Sequence, residues 1–134
     1  MTERQSGMAQ SGIRVAIVDD DPYVCRALTR LLRASGCTVA AYQSANEFVA
    51  SLGKLTPQCL IVDFRMPEMT GLELCRHLVR TGVQIPTILI TAHGDEATFE
   101  QAHSLGIRVC LEKPLQESAI FAAIETATAG PADG

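Results

Sequence analysis

The chain reads as an α/β domain made of repeated strand–helix units around a parallel sheet, and three observations predict it. Five short apolar runs, at residues 13–18, 38–42, 59–63, 86–91 and 107–111, alternate with stretches of helical periodicity. The central run, Cys59-Leu60-Ile61-Val62, is apolar without alternation, as in a parallel strand buried on both faces. Polar groups follow four of the runs: Asp19-Asp20-Asp21, Asp63, Thr91 and Lys113. Parallel strands joined by right-handed crossovers bring their C-terminal ends to one edge, so these groups should meet there.

A chain of 134 residues suits one domain with its own core. The expected division is a polar leader at 1–12, the domain at 13–128 and a linker-like tail at 129–134. At 47% apolar, 19% charged and 4% aromatic, the core must be packed with Val, Ile, Leu and Ala. No apolar run approaches a membrane span, and the leader lacks the apolar centre of a signal peptide. Cys25, Cys37, Cys59, Cys75 and Cys110 form no CxxC pair, which favours reduced, buried thiols and a cytoplasmic setting over disulfides or a cysteine metal site. A net charge of −4 argues against this segment itself gripping nucleic acid.

Residues 13–18 form the first strand. Asp21 then precedes Pro22, an N-cap followed by the proline that suits a first helical position. The helix carries Val24, Ala27, Leu28, Leu31 and Leu32 at helical spacing, and Gly36 closes it. Residues 38–42 are the second strand, and Ser44-Ala45-Asn46-Glu47 reads as a capping box opening a helix with Phe48, Val49 and Leu52 inward. A loop at 53–57 returns to the third strand, which Pro67 obliges to end near Asp63. A loop at 64–70 leads to a helix at 71–80 with Leu72, Leu74, Cys75 and Leu78. The fourth strand, 86–91, ends at Thr91, and the turn Ala92-His93-Gly94 follows it. Residues 95–105 have weak periodicity, with only Ala97, Phe99, Ala102 and Leu105 inward, so this helix should be marginal and mobile. The fifth strand, 107–111, runs into Glu112-Lys113-Pro114. The last helix starts near Gln116 and carries Ile120, Phe121, Ala123 and Ile124.

Carboxylates gathered at one edge repel, by roughly 3 kcal/mol for two charges about 5 Å apart at an effective dielectric near 20. A raised pKa, a nearby cation or a bound metal relieves this, and an all-oxygen set suits a hard ion such as Mg²⁺. A nucleophilic carboxylate, a divalent ion, a lysine and a hydroxyl are the parts of phosphoryl transfer onto an aspartate. Each residue also has an ordinary structural role: a turn cap for Asp63, a solvated loop for the acidic run, a strand-end hydroxyl for Thr91, a surface amine for Lys113.

The segments Ile17-Val18-Asp19-Asp20-Asp21-Pro22, residues 62–71 (Val-Asp-Phe-Arg-Met-Pro-Glu-Met-Thr-Gly), Ile90-Thr91-Ala92-His93-Gly94-Asp95 and Glu112-Lys113-Pro114 resemble the receiver domain of bacterial two-component response regulators, the FixJ type most of all. The resemblance implies a doubly wound (βα)5 sandwich of the flavodoxin-like, CheY-like class, with strand order 2-1-3-4-5. It implies that Asp63 accepts phosphate from a sensor histidine kinase. Asp20 would bind Mg²⁺ directly, Asp19 through water and Arg65 through its carbonyl, with Asp63 completing the set. Lys113 would pair with the phosphoryl group before a cis bond to Pro114, and Thr91 would swing toward the phosphate as a switch. The role of Asp21 is left open. The domain would be a phosphoacceptor and autophosphatase rather than a turnover enzyme. It would signal through a face of the fourth helix, fifth strand and last helix, where Phe99, Leu105 and Arg108 lie and where a homodimer is expected; transcription would be the output if a DNA-binding domain follows. One position departs from the pattern: Cys110 stands where the family usually carries a switch aromatic, so Cys110 is expected as a small core residue, with a redox-sensitive thiol as the alternative. Two other functions stay open: a pseudo-receiver that binds partners without phosphorylation, and a small aspartate-nucleophile phosphatase. Tyr23 breaks the phosphatase pattern.

Overall fold

The computed structural model describes residues 12–129, so the expected leader and tail lie almost wholly outside the described residues. Five strands form one parallel sheet: β1 (Arg14–Val18), β2 (Thr38–Tyr42), β3 (Cys59–Asp63), β4 (Thr87–Thr91) and β5 (Val109–Glu112). Their order is β2-β1-β3-β4-β5. Between them run α1 (Pro22–Ala34), α2 (Ala45–Ser51), α3 (Gly71–Arg80), α4 (Glu96–Ser104) and α5 (Glu117–Thr128). The chain winds outward from β1 to β2 and then returns to β3, so the order reverses between β1 and β3. That reversal opens a crevice beyond their carboxyl ends. The register sets Ile17 beside Ile61 and Val18 beside Val62, which leaves Asp19 and Asp63 flanking the crevice.

Two cores form because neighbouring strand residues face opposite ways. Val15, Ile17, Ile61, Ile88 and Ile90 pack under α1 and α5 with Leu28, Leu32 and Ile124. Ala16, Val18, Leu60, Val62 and Leu89 pack on the other face with Phe48, Leu74 and Leu78. All five residues of β3 and of β4 are buried, as expected for central parallel strands. Each fully buried Ile or Leu contributes roughly 1.5–3 kcal/mol of transfer free energy.

Most helix ends lie where their capping residues direct. The Asp21 carboxylate accepts the Tyr23 N–H at 2.9 Å with Pro22 at the first position of α1, and Gly36 takes φ 98° after it. Ser44 caps α2 by accepting the Glu47 N–H at 3.1 Å. The box expected there is only half formed, because Glu47 reaches one residue further back and accepts the Gln43 N–H at 3.2 Å. A complete box opens α3 instead. Thr70 accepts the Glu73 N–H at 3.1 Å, and Glu73 accepts the Thr70 N–H at 2.9 Å.

Three expectations need correction. Ala27 and Ala97 face solvent, since Cys25 and Ala102 take the inward places on their helices. The fourth strand starts at Thr87, because Pro86 has no N–H to give the ladder. The fifth starts at Val109 rather than 107: Ile107 is buried, but its N–H closes the end of α4 on the Ala102 carbonyl at 3.0 Å. Among the described residues no helix is long and apolar enough to cross a membrane.

Candidate functional site

β1 and β3 deliver two carboxylates into the crevice at their C-terminal ends. Asp19 is 2% exposed and Asp63 5% exposed, whereas Asp20, one residue further along the loop, faces solvent. An oxygen from each of the three lies within 4.8 Å of the others. β5 brings the cation: Lys113 Nζ stands 3.0 Å from Asp63 Oδ1 and 3.9 Å from Asp19 Oδ2, and a cis bond joins Lys113 to Pro114. Three stretches of the chain, far apart in sequence, thus contribute to one pocket edge.

The donors and charges around each carboxylate decide its state. Asp19 Oδ1 accepts the Asp21 N–H at 2.9 Å. Asp19 Oδ2 is buried, accepts no hydrogen bond and faces Lys113 only at salt-bridge distance. Burial pushes Asp19 up to about 6, with Asp63 and Asp20 adding to the rise, while the Asp21 N–H and Lys113 restrain it. Asp63 is also raised, first by burial, against the pull of Lys113 and of the Arg65 N–H, which donates to its carboxylate. Burial would lower the Lys113 ammonium, but the bond to Asp63 and the charge of Asp19 hold it above its ordinary value.

A buried oxygen without a donor, converging with two further carboxylates, is suited to a hard cation. The all-oxygen set of Asp19, Asp20 and Asp63 therefore fits a divalent ion such as Mg²⁺. Arg65 lies exposed on the loop after β3, beside Asp20 along an open cleft of about 530 Å³ that also includes Phe64 and Met66. Asp21 is placed by its own role as the cap of α1.

Local structure holds the end of β3 in position. The Phe64 N–H donates to the Ile90 carbonyl at 2.7 Å, and the Gly71 N–H donates to the Phe64 carbonyl at 2.9 Å, so α3 begins directly against the end of β3. A Cβ on Gly71 would sit 2.5 Å from the Asp63 carbonyl oxygen, so only glycine permits this approach. Glu68 takes φ 73° in the intervening loop, and its carboxylate accepts a hydrogen bond from the Asn46 side chain at 3.2 Å. Neither Gly71 nor Glu68 was singled out from the sequence for the site. The Gly71 signal was present as the glycine closing the loop before a helix.

Thr91, at the end of β4, is 2% exposed, and its hydroxyl accepts the His93 N–H at 3.2 Å. Its carbonyl accepts the Lys113 N–H at 3.0 Å, tying β4 to the lysine-bearing segment. Cys110 is half-buried and packs against the core on the α3 face of the sheet, and burial raises its thiol, which opposes the reactive thiolate alternative. Cys25, Cys37, Cys59 and Cys75 are buried, with Cys59 and Cys75 pushed up to about 12 by burial.

Comparison with known proteins places this arrangement. The family model of the response regulator receiver domain matches residues 15–125. The response regulator protein TmoT of Ectopseudomonas mendocina is 42% identical over 113 residues, covering 84% of this chain and 51% of its own length. The transcriptional regulatory protein FixJ of Rhizobium meliloti strain 1021 is 39% identical over 114 residues, covering 85% and 56% respectively. The chain thus spans about half the length of these relatives. The crystal structure of FixJ-N superposes with a TM-score of 0.81 at 37% identity, over 90% of this chain and 96% of that one. With the strand order, the acidic crevice and the family match all in agreement, the chain belongs to the response regulator receiver domain family.

Proposed function

We propose that this domain takes a phosphoryl group onto Asp63 from the phosphohistidine of a sensor kinase and changes its α4–β5–α5 face in response. The observation that carries the reading is the 3.0 Å contact between Lys113 Nζ and Asp63 Oδ1 inside a buried crevice shared with two further carboxylates. Lys113 holds one oxygen of Asp63, which leaves the other to attack phosphorus. As that O–P bond forms, the P–N bond to the donor imidazole breaks, and the imidazole leaves with the electron pair. The lysine then neutralises part of the added charge of about −2. Asp19, Asp20, Asp63 and the Arg65 carbonyl would hold Mg²⁺, which when bound offsets charge on the phosphoryl oxygens. Thr91 would exchange its His93 partner for the phosphoryl group, which makes it the switch residue.

The half of each relative that this chain does not match leaves room for an output segment, and a relative such as FixJ is a transcriptional regulator. We place the domain boundaries at 13–128, in a cytoplasmic protein whose homodimer would form through the α4–β5–α5 face. A pseudo-receiver would lack phosphorylation despite the same fold, and the Lys113–Asp63 pair favours the phosphoacceptor over it. Incubation with acetyl phosphate and Mg²⁺, read by intact mass, tests the proposal. One phosphoryl addition is expected in the native chain and none in Asp63→Asn or in EDTA. Loading of Asp63→Asn would overturn the assignment of the nucleophile, and no loading under any metal condition would favour the interaction module.

A further inference from the structure

We propose that Phe99 of α4 transmits the state of Thr91 to β5, acting from the helix across the space that the small Cys110 leaves open; the inference rests on the phosphoacceptor reading above. The argument follows a chain of contacts. The Thr91 hydroxyl accepts the N–H of His93, so the turn after β4 is held by the very oxygen that must leave if Thr91 is to reach a phosphoryl group. The next residue, Gly94, donates its N–H to Glu112 Oε2 at 2.9 Å, which fastens the same turn to the end of β5. The Phe99 ring is seated on Gly94: a Cβ there would overlap the ring tip and lie 3.0 Å from Glu112 Oε2. A shift of His93 and Gly94 therefore displaces the seat of the ring as well as the anchor on β5.

The surroundings give the ring somewhere to go. Phe99 is half-buried and shares an open groove of about 580 Å³ with Cys110, Ile107 and Arg108. α4 buries Ala102 alone among its residues, so few core contacts oppose its movement. Cys110 is half-buried at this groove, and its side chain is too small to fill it. Movement of the Phe99 ring into that space would alter α4 and β5 together. Phe99 is thus a positioning residue that touches neither the nucleophile nor the metal ligands.

The test uses the native chain, Phe99→Leu, and Phe99→Leu combined with Cys110→Phe, each with beryllofluoride and Mg²⁺ as the phosphoryl mimic. Amide spectra are read separately at residues 91–95 and at 109–112, with acetyl phosphate loading followed by intact mass. The native chain should shift at both segments. Phe99→Leu should load normally and shift at 91–95, while its shifts at 109–112 fall at least threefold. Cys110→Phe should restore them, which a purely structural role for Phe99 would not allow. Full shifts at 109–112 in Phe99→Leu, or no restoration by Cys110→Phe, would overturn the role of Phe99 alone. A native chain that takes up no phosphoryl group overturns the phosphoacceptor reading, and this one with it.

Discussion

α3 and α4 lie on the same face of the sheet and follow adjacent strands, yet they are held very differently. α3 buries Gly71, Leu72, Leu74, Cys75 and Leu78, opens with a two-way capping box and touches the backbone of Asp63. α4 buries only Ala102 and relies on one carboxylate cap, Asp95 to the Thr98 N–H at 2.8 Å. The helix fixed beside Asp63 is part of the core; the helix beyond Thr91 rests on it. The difference teaches how one domain keeps its chemistry rigid while leaving a surface free to respond. Stability is concentrated around Asp63, and the element proposed to respond is drawn from the weakly held end.

The sharpest way to break this contrast is to loosen the rigid side. Gly71→Ala places a methyl against the Asp63 carbonyl and should cost about 2–3 kcal/mol in denaturant unfolding, with slower phosphoryl uptake. A cost below about 0.5 kcal/mol, the range of an ordinary surface change, would show that the close approach is not needed.

The next effect concerns charge. Asp19 is raised to about 6 in the fold from an ordinary value of 3.8. Its protonated form therefore favours the folded state, and its contribution is present in full below about pH 4 and lost as pH rises through about 6. In EDTA at pH 7.5, Asp19→Asn should be more stable than the native chain by about 1–2 kcal/mol, the gap closing toward pH 4. Excess Mg²⁺ should raise the melting temperature of the native chain more than that of the variant. An equal response would remove Asp19 from the metal site.

Native-state hydrogen exchange sharpens the comparison directly. Amides of α4 should exchange at least about tenfold faster than those of α3, a gap of about 1.4 kcal/mol in local opening. Equal protection would contradict the division of labour. The smallest effects are at the caps: Thr70→Ala should cost about 1 kcal/mol in global unfolding, while Asp95→Ala should change α4 exchange with about half that global cost.

Much of this contrast was legible in the residues. The unbroken run from Cys59 to Val62 reads as an interior parallel strand, and its end placed Asp63 where open α/β sheets gather their reactive groups, with a turn cap as the ordinary alternative. The sparse apolar spacing of residues 95–105 already distinguished α4 from α3. Other features depend on contacts that spacing does not encode. Ile107 looks like a strand residue because it is β-branched and apolar, yet its N–H is used to close α4, and the strand begins two residues later. Glu47 sits three residues after Ser44, as in a capping box, but its side chain found the Gln43 N–H. The strand-end pattern brings Lys113 to the acidic edge but cannot say which carboxylate it touches, because that depends on how far the edge strand extends.

The edge position of that lysine carries a consequence for how the protein comes into being. Lys113 directly follows the outermost strand, and its backbone N–H is held by the carbonyl of Thr91 at the end of β4, so the crevice is incomplete until β5 has zipped onto the sheet. A nascent or clipped chain that lacks this last strand would present acids with no counter-charge, and competence to receive a signal would coincide with completion of the fold.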